Sequence, residues 1–194
     1  MMSINGSQTL QTRSQPPNRV NRSIRETVQF RKPKEADGAE IWRLIQKAGV
    51  LDLNSPYSYL MLCKFFPETC VIAETQGNIV GFVSAFLPQT AKETVFVWQV
   101  AVGPSRRGKG LGKALLQELL SRNACSDVRY LEATVSPSNH PSQSLFKSLA
   151  KELGTDCKIF ECFPQDLFPQ PGHESEWTYR IGPYLPKEKT EEVE

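Results

Sequence analysis

The chain has 194 residues, 39% of them hydrophobic and 23% charged, and a net charge of +2. That length suits one domain with a sizeable core, and so small a charge argues against nucleic acid or an anionic membrane as the main partner. No run approaches the roughly 18 apolar residues of a membrane-spanning helix, and Cys63, Cys70, Cys125, Cys157 and Cys162 form no CxxC pair suited to zinc or redox exchange.

The scattered cysteines fit buried free thiols in a reducing, cytoplasmic setting. A nucleophilic cysteine needs a base, and the chain has only His140 and His173. Residues 1–25 are dominated by Ser, Asn, Gln, Thr and Pro, with Arg13, Arg19, Arg22 and Arg25 as their charges. They read as a disordered, solvated tail. A transit peptide is the alternative, but no amphipathic stripe supports it. Residues 26–185 read as the folded domain, and 186–194 as a frayed, acid-rich end.

Within the domain, Val28–Arg31 reads as a first strand. Asp37 and Glu40 resemble a capping box, after which Ile41, Leu44, Ile45 and Ala48 recur at helical spacing up to Gly49. Asn54-Ser55-Pro56 opens a second helix that stops before Pro67. Cys70–Glu74 and Ile79–Phe86 are strands joined by a turn at Gln76-Gly77-Asn78. Thr94–Val102 is a long apolar strand, and residues 109–123 form an amphipathic helix. Arg129–Val135 is a strand, residues 141–153 a helix ended by Gly154, and Lys158–Phe163 and Trp177–Ile181 are closing strands. The order β-α-α-β-β-β-α-β-α-β-β predicts an α/β fold with a mixed central sheet of six to seven strands and about four helices.

The strand ending at Val102 runs into Gly103-Pro104-Ser105-Arg106-Arg107-Gly108-Lys109-Gly110-Leu111-Gly112-Lys113 and directly into a helix. Glycines bring the backbone close to a ligand. The free amides and dipole of the helix start favour an anion. The stretch therefore predicts a diphosphate cradle over residues 107–112, with Lys113 beside it on the cofactor. It lacks the Gly-Lys-Ser/Thr ending of a Walker A loop and does not fit a dinucleotide fingerprint.

Arg107-Gly108-Lys109-Gly110-Leu111-Gly112 matches the Arg-x-x-Gly-x-Gly signature of the GNAT acetyltransferases, which the chain resembles. The resemblance implies acetyl-CoA as cosubstrate and no metal. It implies that the strand Trp98–Val102 splays from the next one, with Val100, Ala101 and Val102 along the pantetheine arm. The Val100 amide would face the thioester carbonyl as oxyanion donor. Asn139, Ser142 and Phe146 fall on the cofactor side. Many members carry a tyrosine acid where Phe146 stands. Its loss is tolerable, because a coenzyme A thiol has a pKa near that of cysteine, about 8.5.

Leu51-Asp52-Leu53-Asn54-Ser55-Pro56-Tyr57, Phe96–Val102, Leu131–Asn139 and Gly172-His173-Glu174 carry a closer resemblance, from about Thr27 to Pro183, to the diaminobutyrate acetyltransferases of ectoine synthesis. This implies transfer of acetyl to the 4-amino group of L-2,4-diaminobutyrate, and a homodimer.

Such an acceptor carries two ammonium groups and a carboxylate. Asp52 suits an ammonium, or an ordinary loop position. Asn54 suits the acceptor, or the N-cap of the second helix. Tyr57 faces pocket or core. Trp98 forms a pocket wall that can cover a cation, or packs in the core. Glu132, inside an apolar strand, implies a substrate ammonium or an internal ion pair. Ser136 offers a hydrogen bond. Glu132, His173 and Glu174 are the candidate bases for the acceptor amine, although His173-Glu174 also reads as two exposed loop residues. His140, before a proline at a helix start, reads as capping or solvent-facing. Two alternatives remain: a GNAT enzyme acting on a polyamine, protein N-terminus or aminoglycoside, and a non-catalytic acyl-CoA sensor.

Overall fold

The computed structural model describes residues 27–49, 51–169 and 171–185. The expectations for residues 1–25 and 186–194 therefore lie outside the described residues. The element order is β1 (Gln29–Arg31), α1 (Gly38–Ala48), α2 (Pro56–Phe65), β2 (Val71–Thr75), β3 (Asn78–Phe86), β4 (Thr94–Val102), α3 (Leu111–Leu120), β5 (Tyr130–Val135), α4 (His140–Glu152), β6 (Cys157–Phe163) and β7 (Glu176–Ile181). Every expected element is present, in the expected order.

Local chemistry explains where the bounds fall. Gly49 closes α1 in a left-handed conformation, φ 66°, donating its N–H to the Ile45 carbonyl. The Asp37–Glu40 capping box does not form. Asp37 is instead drawn to the Arg31 guanidinium at 2.7 Å and accepts from the Lys34 N–H at 2.6 Å. Glu40 accepts from the Ile79 N–H and ties α1 to the sheet. Gln76 and Gly77 both take positive φ, the backbone that a tight hairpin between β2 and β3 requires. The helix expected from residue 109 starts at Leu111, because Gly108 and Gly110 turn left-handed ahead of it, at φ 69° and 80°.

Seven strands form one sheet in the order β1-β2-β3-β4-β5-β7-β6. All neighbouring pairs are antiparallel except β4 and β5. One core lies between the sheet and α3 and α4, around Leu115, Leu116, Leu119 and Leu149. The other lies under α1 and α2, around Ile41, Ile45, Tyr59 and Phe82. Each such buried apolar side chain contributes about 2 kcal/mol by leaving water.

Strand β4 departs from regularity twice, and both departures shape the site. Ser84 pairs with Gln99 but Ala85 pairs with Val97, so Trp98 is an extra, unpaired residue in a bulge. The bulge inverts the alternation. Val95 and Val97 point into the α3/α4 core, whereas Ala101 points into the α1/α2 core. Second, the parallel pairing of β4 with β5 ends at Val97–Ala133, although the strands continue to Val102 and Val135. The expected splay is present.

Candidate active site

The splay leaves backbone groups of β4 without a strand partner. Gly103 donates its N–H to the Val80 carbonyl of β3. In an antiparallel pair the bonded residues alternate, so Ala101 also bonds towards β3, and the N–H groups of Val100 and Val102 point towards the gap. The gap opens into a groove of about 620 Å³ lined by Ala48, Leu51, residues 100–102, Arg106, Arg107, Gly108, residues 110–113, Asn139, Ser142 and Leu145, among others. At Gly110 an added Cβ would meet nothing within 4 Å. The cradle is therefore open space against backbone, with the start of α3 aimed at it. These residues fit an extended ligand that ends in a diphosphate.

Not every cradle residue faces the groove in the expected way. The Arg107 guanidinium bonds the carbonyls of Val102 and Ala48, so it clamps the end of α1 to the end of β4. Lys109 reaches the Ser105 carbonyl and lines a separate hollow with Val28 and Phe30. Lys113 lines the groove but pairs with Glu152 at 2.6 Å. Asn139 is the N-cap of α4, accepting from the Ser142 N–H at 3.1 Å. Phe146 is not in the groove at all. It is 3% exposed in the core, its ring 6.3 Å from that of Tyr179. An apolar ring on the buried face of α4 packs there and does not turn to the ligand.

A second cavity of about 490 Å³ adjoins the groove, with Leu51 and Asn139 in both walls. It is lined by Asp52, Asn54, Trp98, Gln99, Thr134, Val135, Ser136, Phe163, Phe168, Gly172, His173, Glu174 and Glu176 as well. Five separate segments meet here. Among the described lining residues there are three carboxylates and one histidine, and no lysine or arginine. A cavity of that sign selects a cation. Trp98 lies in its wall because the bulge turns it out of the sheet, 43% exposed. Asn54 lines it too and is not the helix cap. Ser55 holds that position, without a side-chain cap bond.

Two expected acceptor residues are placed elsewhere. Glu132 does not line the cavity. It lies beside Arg180 across the β5–β7 pair and accepts a hydrogen bond from it, and the guanidinium also covers the Tyr130 ring at 3.9 Å. The internal ion pair is the correct reading of that carboxylate. Tyr57 is 66% exposed on the first turn of α2, outside the cavity lining.

The carboxylates that do face the cavity differ. Glu174 accepts from the Ser138 hydroxyl at 2.5 Å and from the Ser138 N–H at 3.2 Å, which holds it below the usual carboxylate range. That makes it a poor base. Glu176 is pushed up instead, first by burial and then by the negative charges of Asp52 and Glu174, against the opposing pull of His173 and a hydrogen bond from Thr134. A raised carboxylate facing a ligand cavity is placed to take a proton. His173 stacks on Phe168 at 3.7 Å, and its Nδ1 lies 2.7 Å from the Glu174 carbonyl. A carbonyl only accepts, so Nδ1 carries a hydrogen, and in the neutral ring it is Nε2 that holds the lone pair.

Glu176 is not among the residues expected from the sequence, although an acid at the start of a closing strand, two residues beyond Glu174, was a signal for it. Gln99, which lies in the cavity wall, was not expected there either. No cysteine lines either cavity. Burial pushes Cys70 up to about 12, and Cys63 and Cys125 to about 11. Among the described residues no group of three or more His, Cys, Asp or Glu could hold a metal ion.

Residues 38–150 match the acetyltransferase (GNAT) family. The chain belongs to this family. It is 53% identical over 160 residues to the L-2,4-diaminobutyric acid acetyltransferase of Halalkalibacterium halodurans, covering 82% of this chain and 84% of that one. It is 53% identical over 159 residues to the enzyme of the same name from Marinococcus halophilus, covering 82% and 92%. A solved diaminobutyrate acetyltransferase from Paenibacillus lautus, in complex with its substrate L-2,4-diaminobutyric acid and coenzyme A, superposes with a TM-score of 0.80 at 45% identity, over 82% of this chain and 97% of that one. The chain is a GNAT acyltransferase of the diaminobutyrate acetyltransferase group, and coenzyme A is the ligand its groove fits. The ribosomal-protein-S18-alanine N-acetyltransferase of Escherichia coli shares the fold, with a TM-score of 0.62 at 16% identity.

Proposed function

We propose that the protein transfers acetyl from acetyl-CoA to the 4-amino group of L-2,4-diaminobutyrate, directly and within a ternary complex. The observation that carries this reading is the cavity with three carboxylates and no described lysine or arginine, joined to the backbone-built groove at Leu51 and Asn139. Its charge suits a small diamine. The substrate of the close relatives has that chemistry.

Bound acetyl-CoA supplies the acetyl thioester. Residues 107–112 and the start of α3 hold the diphosphate. Asp52 and Trp98 orient the ammonium groups of the acceptor. Glu176 takes a proton from the 4-ammonium, directly or through water, with the His173 Nε2 as the neighbouring basic site. The Val100 N–H points into the gap, where it lowers the cost of negative charge on the thioester oxygen. Phe146 donates no proton, and a thiolate of ordinary acidity leaves without one.

Two further parts belong to this reading. A homodimer would cover Ile159, Phe160, Phe163 and Trp177, exposed large apolar side chains on β6 and β7 at the sheet edge. Sedimentation at the mass of one chain would remove that part. A cytoplasmic site of action is supported by the free state of all five cysteines, and fractionation of the host cell tests it.

The test is thiol release from acetyl-CoA with L-2,4-diaminobutyrate, ornithine, lysine, spermidine or no acceptor, and the product's acetyl position read by NMR. The expected outcome is strong preference for diaminobutyrate and acetyl on the 4-nitrogen. Release with another amine alone would discard the acceptor assignment and keep the fold and cofactor.

A further inference from the structure

The stretch 51–54 supplies Leu51, Asp52 and Asn54 to the acceptor cavity and has no helix or strand of its own. Its peptide groups are held by two side chains from the α1/α2 core. The Asn54 N–H donates to the Tyr59 hydroxyl at 3.3 Å. That hydroxyl donates to Gln99 Oε1 at 3.2 Å. Gln99 Nε2 donates to the Asp52 carbonyl at 2.8 Å. The bonds run from Asn54 through Tyr59 and Gln99 back to Asp52, and so fix both peptide groups that flank Leu53.

Both side chains are deeply buried, Tyr59 at 0% and Gln99 at 5% exposure. An unpartnered amide or hydroxyl there would be costly. The arrangement therefore has one low-energy pairing, and the loop can only sit where it satisfies it. Gln99 also stands between the bulged Trp98 and Val100, and its own N–H donates to Ser84 Oγ at 3.2 Å. One residue thus carries the backbone of the acceptor-binding loop on its side chain, while its neighbours in sequence form the cavity wall and the oxyanion donor.

From this we infer that Gln99 and Tyr59 are positioning residues that decide which amine of the acceptor reaches the thioester. Their hydrogen-bonding ends are turned to the loop and to each other. They set the height of Asp52 and Asn54 relative to Val100, and with it the choice between an amine at the chain end and one beside the carboxylate. The two nitrogens of this diamine are separated by three carbons, so the height of the loop decides which of them is presented to the thioester. This inference rests on the diaminobutyrate reading above.

The test uses Tyr59→Phe, which removes one oxygen, and Gln99→Met, which keeps the length and loses both hydrogen-bonding ends. Kinetics for both substrates and the ratio of 4-acetyl to 2-acetyl product are measured beside the native protein. KM for diaminobutyrate is expected to rise about tenfold in each variant. KM for acetyl-CoA should stay within about twofold, and the share of 2-acetyl product should rise about tenfold or more. The double variant should cost less than the product of the two single effects, because the pair acts as one unit. An unchanged product ratio in the folded variants overturns the inference. So does a parallel rise in both KM values, which would mark a merely structural role. Failure of the native protein to acetylate diaminobutyrate sinks the acceptor reading instead, a separate outcome visible before any variant is made. Should Gln99→Met not fold, Tyr59→Phe decides alone.

Discussion

The two cavities that meet at Leu51 and Asn139 are built from different materials. The cofactor groove is mostly backbone: two N–H groups of β4, two left-handed glycines and the first turn of α3, drawn largely from one run of residues. The acceptor cavity is mostly side chains, drawn from five segments between Leu51 and Glu176. A cosubstrate shared by a large family can be bound by peptide groups, which every sequence has. A particular acceptor needs particular side chains, and their surroundings then set their proton affinities: hydrogen bonds from Ser138 lower Glu174, and burial raises Glu176.

That contrast can be broken most sharply at Glu176. Glu176→Gln keeps the shape and removes the base, and kcat/KM is expected to fall about 10²- to 10³-fold. Stability should move the other way. The folded carboxyl is held above its ordinary range, so its favourable contribution is full in acid and is lost as pH rises through the folded value. Glutamine escapes that loss, and Tm at neutral pH should be unchanged or higher by roughly 2 °C, with the advantage gone in acid. Calorimetry at two pH values checks this. In the native protein kcat/KM should rise with pH across a limb above the usual carboxylate range. Persistence of that limb in the variant would reassign it, with His173 the next candidate.

On the groove side, Gly110→Trp fills the open space in front of the cradle and forces an L-residue into φ 80°. Acetyl-CoA binding, followed by calorimetric titration, should weaken about a hundredfold. Normal affinity would mean that the diphosphate lies elsewhere. The smallest effect is expected at Glu132→Gln. That carboxylate only meets Arg180 in a partly exposed pair, so kcat/KM should stay within about twofold and Tm should drop only slightly. A loss comparable to that of Glu176→Gln would put Glu132 back in the reaction.

The same contrast explains what could be read in advance. The order of elements and the cradle were legible because periodicity, turn residues and one contiguous motif carry them, whereas the splay was legible only through the family resemblance. Asp52, Trp98, Ser136, His173 and Glu174 were legible only through resemblance, and the structure gathers them in one cavity. Glu132 misled because a carboxylate in an apolar strand looks the same whether its partner is a ligand or Arg180, and the partner lies 48 residues away. Glu176 was passed over because its raised proton affinity comes first from burial and only then from Asp52, and neither shows in the local sequence. The capping box at Asp37 failed for a similar reason: Arg31 attracts the carboxylate more strongly than a helix N–H does.

The bulge at Trp98 has a consequence beyond the site. One strand feeds both cores: its first half is sealed under α3 and α4, and part of its second half under α1 and α2. Neither layer can come apart without pulling on a strand that the other still grips. The cofactor-binding and acceptor-binding sides are therefore tied together through one strand. The machinery that must hold two substrates within bonding distance is thereby riveted through the middle of the sheet.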